Sequence, residues 1–313
     1  MHFRQTTVMI KKRAKGWSTI FKATYKKWVK DDPFRQSAVI AYYAIFSIPA
    51  LLIIVIDLAN IIFTKQLVSG QLSSVVTQLL GTDAANQIQD TIIKASLDGH
   101  SLPATLIGVL TTMIGALGVF TELKNSLNYI WEVKPSKNVK FTETLKSNLF
   151  SFGLLVSIGF LLLISLVFTT IITAASSWVS TYISSAATIL LAVLDIIASF
   201  YIASFLFTLM FRVLPSAKVK WKYAWTGGKL TSVLFILGKY ALGFYFGKFH
   251  PASAYGTAGS IVLILLWVSY SCMIVFFGAE FTKQYAKKTE GIIVAKRNSV
   301  HIQPHPNSVK ATV

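Results

Sequence analysis

Thr257-Ala-Gly-Ser-Ile-Val-Leu-Ile-Leu-Leu-Trp-Val-Ser-Tyr-Ser-Cys-Met-Ile-Val-Phe-Phe-Gly-Ala-Glu-Phe281 decides the fold. No charge interrupts it before Glu280. About 20 residues suffice to cross the hydrocarbon of a bilayer as a helix rising ~1.5 Å per residue. The run is continuous and does not alternate, so a helix fits it and a barrel strand does not. Five comparable runs occupy 37–60, 103–121, 148–173, 187–211 and 228–248. The pattern predicts an all-α, polytopic bundle of six spans. The second is at the short end, and the third and fourth are long enough to tilt.

Composition agrees. Hydrophobic residues make up 54% of the 313 residues and charged residues 13%, where a soluble domain carries about 25% charged. Mean hydropathy is +0.60. The single cysteine, Cys272, lies inside an apolar run, which excludes a disulfide framework and a thiolate metal site. The first 36 residues contain no apolar run of the kind a cleavable signal needs.

Thirty Lys and Arg against twelve Asp and Glu give a net charge of +18, and its distribution sets the orientation. Residues 1–36 hold ten basic residues, the 122–147 and 212–229 connections five each, and the tail from Lys283 six. Lys65, Lys94 and Lys248 alone fall on the other side, with Lys239 inside a span. Basic loops stay in the cytoplasm, so both termini are expected there. The excess charge then serves topology and attraction to anionic headgroups of membrane lipids. No nucleic acid is needed to explain it.

Three regions follow: a basic segment 1–36, a membrane domain 37–281 and a basic tail 282–313. In the first, Trp17, Ile20, Phe21, Trp28 and Val29 recur at helical spacing, with Lys22, Lys26, Lys27 and Lys30 on the other face. That pattern predicts an amphipathic helix in the membrane interface, stopped at Asp31-Asp32-Pro33. A helix packed on the rest of the protein fits the same spacing. In the outer loop 64–102, Val75, Val76, Leu79 and Leu80, then Ala85, Ile88, Ile92 and Ala95, predict a short helical hairpin broken at Gly81. The uncharged 174–186 loop is expected at the interface. Beyond about 289 the tail loses pattern and reads as disordered.

Submerged charges are the candidate chemistry. Lys239 falls near the middle of the fifth span, ~15 Å from either end by helix rise. Asp195 falls ~10 Å inside the fourth. Charges at such depth face a bundle interior or water. Read structurally, the two pair and fix helix register; read functionally, they line a substrate or ion pathway. Tyr42, Tyr43 and Ser47 precede Pro49 in the first span, where proline frees a carbonyl and favours a kink. Asp57, Glu122 and Glu280 sit at span ends, where a side chain reaches headgroup water. Glycines such as Gly115, Gly118 and Gly278 read as close helix contacts. There is no HExxH, GxSxG or GxxxxGK[ST], and His301 and His305 are separated by Pro304. The residues therefore predict no catalytic group, no metal and no cofactor.

Four separated segments carry a resemblance. They are Arg35-Gln-Ser-Ala-Val-Ile-Ala-Tyr-Tyr-Ala-Ile-Phe-Ser-Ile-Pro49, Glu122-Leu-Lys-Asn-Ser-Leu-Asn-Tyr-Ile-Trp131, Gly227-Gly228, and Tyr255-Gly-Thr-Ala-Gly-Ser260 leading to Gly278-Ala-Glu-Phe281. In order and spacing they resemble the YihY/BrkB family of bacterial inner-membrane proteins, from about residue 17 to 288. The resemblance implies about six spans and cytoplasmic termini. Members carry the labels "virulence factor BrkB" and "ribonuclease BN". The second label fits poorly, because a ribonuclease needs a metal cluster or an acid–base pair and these residues supply neither. The family has no agreed site residues to carry over. Two functions are expected: a transporter or flippase for a lipid or other amphiphilic anion, or a non-catalytic scaffold whose partner surface is the outer hairpin.

Overall fold

The computed structural model describes residues 2–62, 102–136, 185–249, 251, 255, 258–290, 294–296 and 299–301. Among them are six helices: α1 (His2–Lys30), α2 (Pro33–Ile62), α3 (Leu102–Ile130), α4 (Ser185–Val213), α5 (Trp221–Phe249) and α6 (Gly259–Glu290). Ile196–Val213, Trp221–Phe249 and Ile261–Glu290 are long and apolar enough to cross a membrane. The 148–173 run, the 64–102 hairpin and most of the 174–186 loop lie outside the described residues. The helices overrun the apolar runs that predicted them, because backbone hydrogen bonding continues past the edge of the hydrocarbon.

The α1–α2 joint follows from three residues. Asp32 takes a left-handed φ of 51°, which short polar side chains tolerate. Its carboxylate accepts the Arg35 N–H at 3.4 Å, capping α2, and Pro33 starts that helix where no N–H is needed. α1 then docks along α6. Trp17 stacks on Phe281 and Tyr285, Phe21 lies against Phe281, and Trp28 donates its indole N–H to the Met273 carbonyl at 3.2 Å. Tyr25 and Val29 stay exposed.

Small residues let the helices approach. A side chain at Gly118 of α3 would overlap the Tyr43 ring of α2. Gly227 and Gly228 of α5 face Thr282 of α6 and Thr208 of α4, and Gly278 of α6 faces Thr231 of α5. The threonine hydroxyls along this seam are buried yet satisfied within their own helices: Thr208 donates to the Ser204 carbonyl, Thr231 to Gly227 and Thr282 to Gly278, at 2.6–2.8 Å. Such contacts hold helices together in lipid, where no hydrophobic force acts between them. Val193, Ile196, Tyr240 and Phe244 remain exposed, as a lipid-solvated surface allows.

A buried core lies at the basic end, where Leu127, Ile130 and Trp131 cluster with Phe211, Leu214, Phe276 and Ala279. Two short antiparallel ribbons close it and modify the all-α expectation. β1 (Val133–Pro135) pairs with β4 (Ser299–His301), and β2 (Ala217–Lys218) with β3 (Val294–Ala295). The tail, expected without structure beyond about 289, thus returns across the connections after α3 and α4. Its strands are two and three residues long, too short to show a period in sequence, and are held by partners far along the chain.

Candidate functional site

α4 and α5 form an antiparallel pair joined by a short connection carrying β2. Asp195 lies eighteen residues before the end of α4, and Lys239 eighteen residues after the start of α5. The two positions therefore stand at one height, ~27 Å from the turn by helix rise. The contact of Gly228 with Ser204 and Thr208 is in the same register. Lys239 is half-buried, and among the described residues it has no ion-pair or hydrogen-bond partner. The Asp195 side chain lies outside the described residues.

The other nominated residues are dispersed. Tyr42 is exposed, whereas Tyr43 is half-buried over Gly118. Ser47 donates to the Ala44 carbonyl at 3.1 Å, and α2 continues as helix through Pro49. The side chains of Pro49 and Asp57 lie outside the described residues, and Glu122 is half-buried on α3.

Glu280 differs from expectation. Its side chain is 1% exposed instead of reaching headgroup water, because α1 covers this end of α6. It belongs to a partly buried ionic knot that the sequence reading did not assemble. Lys283, 2% exposed, bonds the Glu132 carboxylate at 3.0 Å and stands 3.6 Å from Glu280. Lys27 bonds Asp31 at 2.9 Å and approaches Glu132 at 3.6 Å. Gln284 donates to Glu280, and the Gln36 amide to the Asp31 carbonyl. The knot ties α1, the α1–α2 joint, the turn after α3 and α6. Glu132 enters it from a left-handed φ of 55°.

Two of these groups, Lys27 and Glu132, are held charged by their neighbours. Burial works against the Lys27 ammonium, but the bond and charge of Asp31, with Glu132 and Glu280 beyond, raise it above the usual lysine range. Burial likewise opposes the Glu132 carboxylate, yet Lys283, Lys27 and Lys287 hold it below the usual carboxylate range. A signal was available in sequence: Lys27 and Asp31 are four apart, and Glu280 and Lys283 three apart. No local spacing points to Glu132, which arrives from another element.

Apolar helices packed through small residues, with lipid-facing aromatics and a cationic end, define a helical membrane protein. A family model described as "Virulence factor BrkB" matches residues 24–300, and the chain belongs to that family. A "UPF0761 membrane protein" of Saccharophagus degradans is 26% identical over 84% of this chain and 59% of its own length. Another from Stenotrophomonas maltophilia gives the same three figures. One from Pseudoalteromonas atlantica is 23% identical over 78% of each chain. The chain thus spans about three-fifths of the length of the first two relatives. No solved structure matches it.

Proposed function

We infer that the chain is a six-span protein of the bacterial inner membrane, with both termini cytoplasmic, that transports or flips a lipid or other amphiphilic anion. Lys239 carries the reading. An ammonium at mid-span costs some kcal/mol, and such residues mark pathways more often than they decorate packing. Its equal height with Asp195 gives a binding charge and a releasing charge at one level. Lys239 attracts the anion, Asp195 competes for the ammonium and releases it, and the helix around Pro49 gates. No catalytic step is assigned, and membrane lipid, not nucleic acid, is the partner of the basic end.

Proteoliposome flux tests the reading. Lys239→Ala and Asp195→Ala should each slow movement of a fluorescent anionic lipid while the protein stays folded. Unchanged flux in both would exclude this pathway. A scaffold role is the second reading, and the ionic knot favours it, since a knot joining four elements suits a rigid platform. A stable partner recovered by pulldown and lost on deleting 64–102 would support it.

A further inference from the structure

Beside the knot, at the basic end, lies a separate cavity of about 540 Å³. It is lined by the end of α4, the start of α5, the end of α6 and β3 of the tail, and is open to the surface on one side. Four cations line it, Arg212, Lys218, Lys220 and Lys296, against one carboxylate, Glu290. That carboxylate is already engaged, by Lys220 at 2.7 Å and the Tyr223 hydroxyl at 2.9 Å. The remaining cations face no acid within the lining.

Two lining residues also hold buried donors without acceptors among the described residues. Trp131 is 1% exposed, and its indole N–H has no hydrogen-bond partner among them. Arg212 has a buried Nη1 in the same condition. Buried donors are rarely left open, and each such group costs free energy until something accepts from it. The Arg212 guanidinium lies 4.2 Å from the Trp221 ring centre, a stacking contact that helps fix its plane. Lys296 uses one donor on the Val213 carbonyl at 2.9 Å. Burial first, then the charges of Lys124 and Arg212, push its ammonium down to about 8. Cations are crowded here, and acceptor oxygens are what the cavity lacks.

We propose that this cavity binds the phosphate group of an organic phosphate, with Arg212 and Lys296 as its charged donors and the Trp131 N–H as its neutral one. A phosphate offers several anionic acceptors in the geometry a guanidinium fork matches. The volume falls within the ~300–1,000 Å³ range of small-molecule sites and exceeds what a bare phosphate fills. The ligand is therefore a phosphorylated headgroup or a soluble phosphate ester. Because β3 and Lys296 wall the cavity, its occupant fastens the tail to the helices. The site stands on observations independent of Lys239 and does not require transport.

The test uses the full chain in phosphatidylcholine nanodiscs titrated with inorganic pyrophosphate at constant ionic strength. In parallel, native mass spectrometry reads retained lipid after purification from phosphatidylglycerol nanodiscs. Arg212→Gln and Lys296→Gln should each weaken binding ~10-fold or more, as loss of a charge-assisted bond does. Trp131→Phe should weaken it ~3-fold or more. Lys26→Gln, an exposed change of equal charge on α1, should stay within ~2-fold of wild type if the site is local. Should Arg212→Gln misfold, Lys296→Gln and Trp131→Phe carry the test. Pyrophosphate binding with this pattern assigns a soluble ester. Phosphatidylglycerol retained by wild type and lost from the variants, without pyrophosphate binding, assigns a lipid headgroup. Binding of neither probe, or equal weakening by Lys26→Gln, overturns the proposal.

Discussion

Replacing Lys283 with methionine tests the ionic knot most sharply. Its side chain is 2% exposed, and its ammonium stands 3.0 Å from Glu132 and 3.6 Å from Glu280. Methionine keeps the length of the side chain and deletes the charge. Glu132 retains Lys27 at 3.6 Å, but Glu280, 1% exposed, loses its nearest cation. Breaking a buried pair from one side costs ~3–5 kcal/mol, whereas replacing both partners with apolar groups is often neutral. Lys283→Met should therefore lose ~3–5 kcal/mol, and Lys283→Met with Glu280→Leu should recover ~1–3 kcal/mol of it, the usual size of coupling between touching residues. Unfolding by SDS in mixed micelles, followed by circular dichroism, measures both. A single variant within ~0.5 kcal/mol of wild type, in the range of an exposed pair, would refute the reasoning. So would a double variant no better than the single.

Other outcomes follow from the same geometry. Gly118→Leu drives a side chain into the Tyr43 ring and should cost ~1–3 kcal/mol in the same unfolding assay. Trp28→Phe removes the bond to Met273 but keeps the aromatic packing, so it should cost only ~0.5–1.5 kcal/mol. Because the folded Glu132 carboxylate lies below its unfolded value, its contribution is complete above that unfolded value and fades as pH falls through the folded one. Docking of α1, read by Trp17 and Trp28 fluorescence, should loosen under acid and do so less in Glu132→Gln. Lys296 has the opposite sign. Its folded value, about 8, lies below the unfolded 10.5, so the unfolded chain binds more protons between them and its contribution to stability rises with pH across that window. Lys296→Met should flatten that rise.

Most of the helical framework could be read before the structure, because apolar runs and basic connections are local properties of the chain. The Asp31-Asp32-Pro33 stop was legible for the same reason: a capping carboxylate and a proline act on their immediate neighbours. What escaped depends on distant residues. Trp17 and Phe21 suit a membrane interface as well as they suit Phe281, and their docking on α6, which removes Glu280 from water, depends on residues far along the chain. Glu132 carries no local sign that Lys283, more than a hundred residues on, will meet it. The tail ribbons are too short for any period and exist because the turns after α3 and α4 offer open edges. Lys239 and Asp195 were legible as charges within apolar runs, and their equal height along the pair follows once the α4–α5 turn is known. The cationic cavity was hidden because Trp131, Arg212 and Lys296 come from the turn after α3, the end of α4 and the tail.

The most direct measurement is an experimental structure of the full chain in lipid nanodiscs, inspected at Lys239 and Asp195. A transporter of amphiphilic anions predicts a wet cavity or lipid-like density reaching the Lys239 ammonium. A dry, closed Lys239–Asp195 pair sealed in a packed bundle would contradict that account and leave the scaffold reading in its place.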